Sequence, residues 1–509
     1  KMPGIELINR AAFHKNNIAI ISDKKSYSYS SLVKSSNSVA YHLLNRKEDL
    51  NGARVAFLIE PSYDYVATLW GIWQAGAVAV PLGISHPQAE LEYSISDCDA
   101  EFLISDQKNL HKILPIANTQ KLNYSVTDCL LSSQQPSQSY KLPDIDSARN
   151  AMILYTSGST GKPKGVVITH NNIEAQVTTL VEAWGWTDQD HILNTLPLHH
   201  VHGIINAMTC AFWSGAKCEI HSKFDPNSVW ERLKIGDLSL FMAVPTTYKS
   251  LINEWETKRI KEQSLMSLGA SKLRLMVSGS DALLATTMKQ WEDITGHTLL
   301  ERYGMTEVGM ALSNPLEGIR NPGHVGTPLP NVKIRLVSLS INEKTGLHEH
   351  GEIVPAGEPG EIQIKGPSVF KEYWKNPPAT KEAFSEDGWF CSGDVASLNE
   401  QGYRIWGRAS QDIIITGGEN VSAKEVEQIL SEHPNIIGCA VVGIDDPYWG
   451  NAVSVAIVAN KKISREDLRS WAKNKMAPYK VPQKMQLVDV LPLNSMGKVI
   501  KPEVRKLFR

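Results

Sequence analysis

Short apolar runs alternate with helix-like stretches over roughly the first 300 residues, and this alternation leaves few folds open to the chain. Residues 54–59, 77–82 and 100–105 are short and apolar, with helical spacing between them at 63–76 and 87–97. The phase resumes at 191–196, 217–220, 241–244, 273–278 and 299–303, now interleaved with helix-like text at 170–184, 202–213 and 226–234. Strands separated by helices return in the same direction, and both faces of the resulting sheet must be covered. The expected fold class is therefore α/β, a large N-terminal domain of stacked, mostly parallel sheets covered by helices. Residues 3–50 suggest a helix, a two-stranded element and a second helix capped by Ser28 or Ser30. The polar stretch 106–148 reads as exposed connection.

Beyond residue 323 the pattern changes. Strand-like runs at 332–337, 361–365 and 403–406 are separated by Gly and Pro turns, which suggests a β-rich subdomain over about 323–405 within a large domain of 1–407. A boundary falls at 408–411. Past it, helix 422–432, strands 436–444 and 451–459 and helix 464–475 make a small α+β C-terminal domain, 412–509. Division is expected on size alone, because 509 residues exceed what one hydrophobic core organises.

The 52 basic and 54 acidic side chains leave no positive excess to attract nucleic acid. None of the six cysteines forms a C-x-x-C pair, which disfavours a disulfide framework or a zinc site. Residues 1–20 show no signal or transit pattern and no membrane span is evident, so the expected protein is cytoplasmic, has no membrane partner and is a monomer or homodimer.

The run Tyr155-Thr156-Ser157-Gly158-Ser159-Thr160-Gly161-Lys162-Pro163-Lys164-Gly165 follows an apolar strand and holds three glycines, five hydroxyls and two lysines. Such a loop can wrap a phosphate chain, with glycines allowing close approach, hydroxyls donating hydrogen bonds and lysines supplying charge. It lacks the Walker A order. Four further clusters stand out: His199, His200 and His202; Glu301 through Glu307; Ser392-Gly393-Asp394 with Gly407-Arg408; and Asn494 through Lys498. Glu307 is a hard ligand suited to Mg²⁺ on a triphosphate, Tyr303 a flat face for a purine, and Asp394 an acceptor for ribose hydroxyls. Arg408 and Lys498 can neutralise phosphate. Taken singly, these residues are equally readable as a surface turn, solvated carboxylates and packing groups. The histidine run lacks a nearby fourth ligand for zinc and reads better as a pocket wall or gate.

Together and in this order, the clusters resemble the adenylate-forming superfamily of acyl-CoA synthetases, luciferases and peptide-synthetase adenylation domains, across essentially the whole chain. Within it, the chain looks most like the malonyl-CoA and methylmalonyl-CoA synthetases. Residues 197–203, 242–246, 276–280 and 295–307 carry that likeness. The resemblance implies roles for ATP, Mg²⁺ and coenzyme A. Thr156, Ser157, Gly158, Ser159, Thr160, Gly161, Lys162 and Lys164 would cover the ATP phosphates. Tyr303 and Gly304 would lie at adenine, and Thr306 at phosphate. Glu307 and Thr156 would serve Mg²⁺, while Asp394 and Arg408 hold ribose. Lys498 would bridge the attacking carboxylate and the α-phosphate. His200 would gate the junction of the acyl and pantetheine channels, and Gly417 and Gly418 would line the CoA channel after the small domain rotates about 408–411.

The implied reaction is ATP-dependent ligation of malonate, with methylmalonate as a second acid, to coenzyme A through an acyl adenylate. Arg302, helped by Ser280, would hold the second carboxylate of a small dicarboxylic acid. Three alternatives stay open. Arg302 could instead brace its strand against a protein carboxylate. Gly417-Gly418-Glu419-Asn420 resembles the version common in medium-chain and aryl-CoA ligases, which keeps a broader acyl substrate in view, and a carrier-protein thiol as acceptor is separately possible. A catalytically idle nucleotide-binding protein is the third.

Overall fold

The structure, a computed structural model, describes residues 4–132, 141–156, 162–341, 348–409, 411–416, 419–494 and 497–508, with the side chains at 339–341, 348–350, 415, 419 and 420 left aside. Among the described residues the strands form four sheets. A nine-stranded sheet is parallel through Ile18–Ser22, Lys217–Ile220, His191–Asn194, Leu240–Ala243, Leu275–Ser278 and Leu300–Met305, with antiparallel strands at its edges. A seven-stranded sheet is built on parallel Arg54–Leu58, Val78–Pro81 and Phe102–Ser105.

Side-chain alternation explains why these strands read as unbroken apolar runs. Val55 and Phe57 enter one core and Ala56 and Leu58 another, while Ile192 and Leu193 divide in the same way. A strand buried on both faces has no polar face to show. The core shared by the two sheets holds Trp70, Trp73, Trp184 and Phe212. The helices Tyr29–Leu44 and Tyr63–Gln74 pack there, and Ser28 caps the first by accepting from the Ser31 amide.

Two expectations needed correction. The stretch 106–148 is not mere connection: it contains the helix Leu110–Gln120 and the strand Asn123–Val126, which pairs parallel with Phe102–Ser105. The expected helix 202–213 begins as a π-helix, His202–Thr209, and becomes α-helical only at Cys210–Ser214.

The β-rich segment is a five-stranded antiparallel sheet that includes Lys333–Ile341, Gly360–Lys365, Phe390–Asn399 and Gly402–Arg408. After Arg408 the chain enters another sheet with its own core of Ile414, Val426, Val441, Val455 and Leu468. No helix among the described residues is long and apolar enough to cross a membrane.

Candidate active site

The carboxyl ends of Leu240–Ala243, Leu275–Ser278 and Leu300–Met305 open onto a cleft of about 2010 Å³. Open parallel sheets place their sites at that edge, because the loops leaving adjacent strands converge there. The β-rich sheet and the C-terminal segment supply the opposite wall, through Asp394, Arg408, Lys424 and Lys498.

The glycine-rich run joins a hairpin. Asn150–Thr156 pairs antiparallel with Lys164–Thr169, with Thr156 opposite Lys164, so the ends of the run are pinned together. Ser157, Gly158, Ser159, Thr160 and Gly161 lie outside the described residues, as do Ser410, Gly417 and Gly418. The flanking lysines rest on aromatic faces, Lys162 Nζ 5.6 Å from the Tyr93 ring centre and Lys164 Nζ 4.5 Å from that of Tyr373.

Tyr303, Asp394 and Arg408 form one unit. The Tyr303 hydroxyl donates to Asp394 Oδ2 at 2.6 Å, and Arg408 Nε lies 3.0 Å from Asp394 Oδ1. Asp394 and Arg408 face each other across the register of neighbouring strands. Burial pushes the Asp394 pKa up, and the Arg408 guanidinium opposes that shift. Gly304 permits the tight return of this strand, since a Cβ there would lie 2.0 Å from the Gly309 carbonyl oxygen.

Glu307 is buried and accepts a hydrogen bond from the Tyr373 hydroxyl at 2.9 Å. Its pKa is raised by burial, with Lys164 and Arg408 opposing from a distance. A buried carboxylate without an adjacent counter-charge suits a hard cation. One carboxylate, with the Thr156 hydroxyl lining the same cleft, fits Mg²⁺ carried in on a triphosphate better than a protein-built cage. Among the described residues, no group of three or more His, Cys, Asp or Glu side chains is arranged to hold a metal.

Arg302 is 3% exposed, and its Nε and Nη2 have no hydrogen-bond partner. Among the described residues it makes no ion pair, so bracing by a protein carboxylate is not what the structure contains. Burial pulls its pKa down to about 9, and burial likewise lifts the adjoining Glu301 to about 8. Burial thus disfavours the charged form of both groups. Gly279 makes room for the guanidinium: a Cβ at that position would lie 2.2 Å from Arg302 Cζ.

His202, part of the histidine run read as a pocket wall or gate, stands beside Arg302, a contact that spacing did not show. It is 4% exposed, its Nδ1 lies 3.3 Å from Ser280 Oγ, and its Nε2 is unpartnered. Burial, followed by the Arg302 charge, drives its pKa well below normal, so the ring is neutral. The signal available in sequence was a third histidine at the start of a helix, and π-helical turns collect at functional sites. His199 and His200 line the same cleft together with His86, ring centres 4.0 Å apart for the first pair and 4.9 Å for His86 and His199. Burial holds His199 at about 2 and His200 at about 4, so both are neutral at pH 7.

Lys498 stands on a tight turn in which its amide donates to Asn494 Oδ1 at 2.9 Å. From there its Nζ donates to the Ser280 carbonyl at 3.1 Å. The turn thus delivers a lysine from the C-terminal segment to the pocket that holds Arg302 and His202.

With that geometry in place, comparison with known proteins is informative. The AMP-binding enzyme model matches residues 7–374, and that of the AMP-binding enzyme C-terminal domain matches 425–498. The mouse (Mus musculus) mitochondrial malonate--CoA ligase ACSF3 is 41% identical over 527 residues, covering 98% of this chain and 89% of that protein. ATP-bound MatB from Rhodopseudomonas palustris has a TM-score of 0.88 at 32% identity and 99% coverage of each chain. A malonyl-CoA ligase ternary product complex with methylmalonyl-CoA and AMP bound has a TM-score of 0.67 at 29% identity, covering 94% of this chain and 97% of that one. The expected cytoplasmic location is overturned by the mouse protein and its counterparts from cattle, human and Xenopus laevis, all named as mitochondrial. Receptors read compartment addresses from short segments, and the composition of a folded domain carries none. Both family models fall in register on the two parts of the fold that meet at the cleft, and the chain belongs to the AMP-binding enzyme family.

Proposed function

We propose that the chain ligates malonate, and through the same contacts methylmalonate, to coenzyme A, using ATP and passing through an acyl adenylate. The observation that carries this reading is Arg302, a buried guanidinium at the cleft whose Nε and Nη2 are unpartnered. A dicarboxylate satisfies both needs of the site, since one carboxylate pairs with Arg302 while the other remains free to react. His202 Nε2 and the Ser280 hydroxyl supply further polar contacts. A monoacid would leave the charge buried and unpaired, which is a strong basis for rejection.

In the first step a carboxylate oxygen attacks the α-phosphorus of ATP. The bond from that phosphorus to the oxygen bridging to the β-phosphate breaks, and pyrophosphate leaves with the electron pair. Thr156, Lys162 and Lys164, with Ser157, Gly158, Ser159, Thr160 and Gly161, hold the phosphates. Tyr303, Gly304, Asp394 and Arg408 orient the nucleoside, and Thr306 meets phosphate. Glu307 and Thr156 would hold a magnesium ion, whose charge offsets that of the triphosphate. Lys498 reduces repulsion between the two anions and stabilises charge on the transferring phosphoryl oxygens.

In the second step the thiol of coenzyme A attacks the acyl carbonyl, its proton is released, and AMP departs with the C–O electron pair. Lys498 must then withdraw and a thiol channel open. Rotation of 412–509 against 1–407 about the 408–411 link supplies both. The greater likeness to the ATP-bound MatB than to the thioester product complex, 0.88 against 0.67, supports a chain poised for the first step. His200, neutral and half-buried, would gate by shape, and Gly417 and Gly418 would line the channel in the rotated arrangement.

Malonate-dependent exchange of labelled pyrophosphate into ATP, followed by thioester formation with free coenzyme A, tests the reading. No exchange would indicate an idle nucleotide binder. Exchange without a CoA thioester would indicate a carrier-protein acceptor. A second expected result concerns Gly279. Its replacement by alanine forces Arg302 aside and is expected to lower kcat/KM for malonate about 10-fold or more, with the KM for ATP nearly unchanged, as read by steady-state AMP release.

A further inference from the structure

Two lysines from the C-terminal part of the chain land on consecutive residues of one loop. The strand Leu275–Ser278 runs into residues 279–283, where Ser280 adopts φ 72°, in the left-handed region. The Ser280 carbonyl accepts from Lys498 Nζ at 3.1 Å while its hydroxyl faces His202. The next residue, Asp281, accepts through Oδ1 from the Ala282 amide at 2.8 Å and from Lys424 Nζ at 3.1 Å.

Lys424 is firmly based. It lies in the first turn of Ala423–Leu430, a helix capped by Ser422, whose hydroxyl also donates to the Trp406 carbonyl. The Ala423 amide donates to the Asp412 carbonyl at 2.7 Å, which ties the helix start to the segment just past the 408–411 link. Lys424 therefore moves with the small domain, and Asp281 moves with the acid pocket. A second ion pair across this boundary, Arg404–Glu425 at 3.7 Å, is longer and starts only four residues before the link, where rotation displaces little. Burial would raise the Asp281 carboxyl, but Lys424, the Ala282 amide and Lys498 hold it below its ordinary value, so it is ionised at pH 7.

We propose that Lys424 is a positioning residue for adenylate formation: its ion pair with Asp281 latches the small domain onto the acid-binding loop and so holds Lys498 over the reacting groups. The inference rests on the ligase reading. The latch belongs to one orientation of the domains and must release before the thiol enters, so its loss affects the two half-reactions unequally. Because both partners keep part of their surface in water, at 33% and 42% exposure, its effect is moderate.

The test uses the full chain with Lys424→Gln, Asp281→Asn, Lys424→Arg and the reversed pair Lys424→Asp with Asp281→Lys. Malonate-dependent pyrophosphate–ATP exchange reads the first half-reaction. Quenched-flow mixing of coenzyme A with adenylate preformed on the enzyme reads the second. Each charge-removing single variant is expected to lower exchange about 5-fold, and to leave the CoA step within about twofold or faster. Lys424→Arg and the reversed pair should recover most of the exchange. Unchanged exchange in the charge-removing variants, equal loss in both half-reactions, or no recovery in either the arginine variant or the reversed pair would overturn the latch. Absence of exchange in the unmodified protein would instead overturn the ligase reading.

Discussion

Replacing Lys498 with alanine is expected to lower malonate-dependent pyrophosphate–ATP exchange by about 10²- to 10³-fold, the usual consequence of removing one preorganised charge from a developing oxyanion. Two anions have to meet in this cleft, and Lys498 is the cation brought to them by the small domain. Its Nζ already donates to the Ser280 carbonyl, one residue from Gly279 and beside the His202 pocket. ATP should still bind with nearly the same affinity, because the proposed nucleoside contacts, Tyr303, Asp394 and Arg408, do not include Lys498. The CoA-dependent step, assayed from adenylate already on the enzyme, should be largely spared, since in the proposed rotation Lys498 leaves the site before it. Equal loss in both steps would mean that Lys498 maintains the fold of its turn and has no special part in adenylation.

Replacing Arg302 with methionine is expected to cut kcat/KM for malonate about 10²-fold or more, because the second carboxylate would then enter a buried pocket without its counter-charge. Use of butanoate should stay level or improve, since the apolar side chain removes a charge that a monoacid cannot satisfy. Stability gives an independent reading of the same cause. Arg302 Nε and Nη2 are unpartnered and burial depresses its pKa to about 9, so the charge is held there at a cost to stability. The methionine variant should therefore melt at a higher temperature than the parent without substrate, and malonate should raise the melting temperature of the parent alone. A lower melting temperature together with equal loss for mono- and dicarboxylic acids would assign Arg302 to structural support.

The parallel sheets were legible because strands buried on both faces write themselves as apolar runs, as residues 54–59 and 77–82 do. The edge was not. Asn123–Val126 lies at the end of its sheet with Asn123 and Tyr124 exposed, and Pro115 interrupts the helix before it, so neither element carries the expected pattern. The return strand Lys164–Thr169 was hidden for another reason. Its apolar stretch is short and follows the glycine-rich run directly, so loop and strand read as one connection.

The site divides along similar lines. Tyr303, Glu307, Asp394, Arg408 and Lys498 have residue types that suit nucleotide chemistry, but it was the resemblance carried by the order of the clusters that gave them roles. Their contacts could not be named, since Tyr303 reaches Asp394 across 91 positions and Lys498 reaches Ser280 across 218. The histidine run was read as a pocket wall or gate, but spacing does not show which of the three rings meets Ser280 and Arg302. The π-helix beginning at His202 belongs to the pocket wall with Arg302, while His200 packs toward His199. Tyr373 on Glu307, Gly279 beneath Arg302, and the Lys424–Asp281 pair leave no mark in sequence. Each exists only once separate sheets have been brought to one cleft.

The identity of the acid is the central claim, and a direct comparison of kcat/KM for malonate, butanoate, octanoate and benzoate in CoA thioester formation tests it. Malonate is expected to exceed each monoacid by about 10²-fold or more, the discrimination a buried unpaired charge imposes. Octanoate or benzoate equal to or above malonate would contradict the dicarboxylate reading and make Arg302 a group with another purpose.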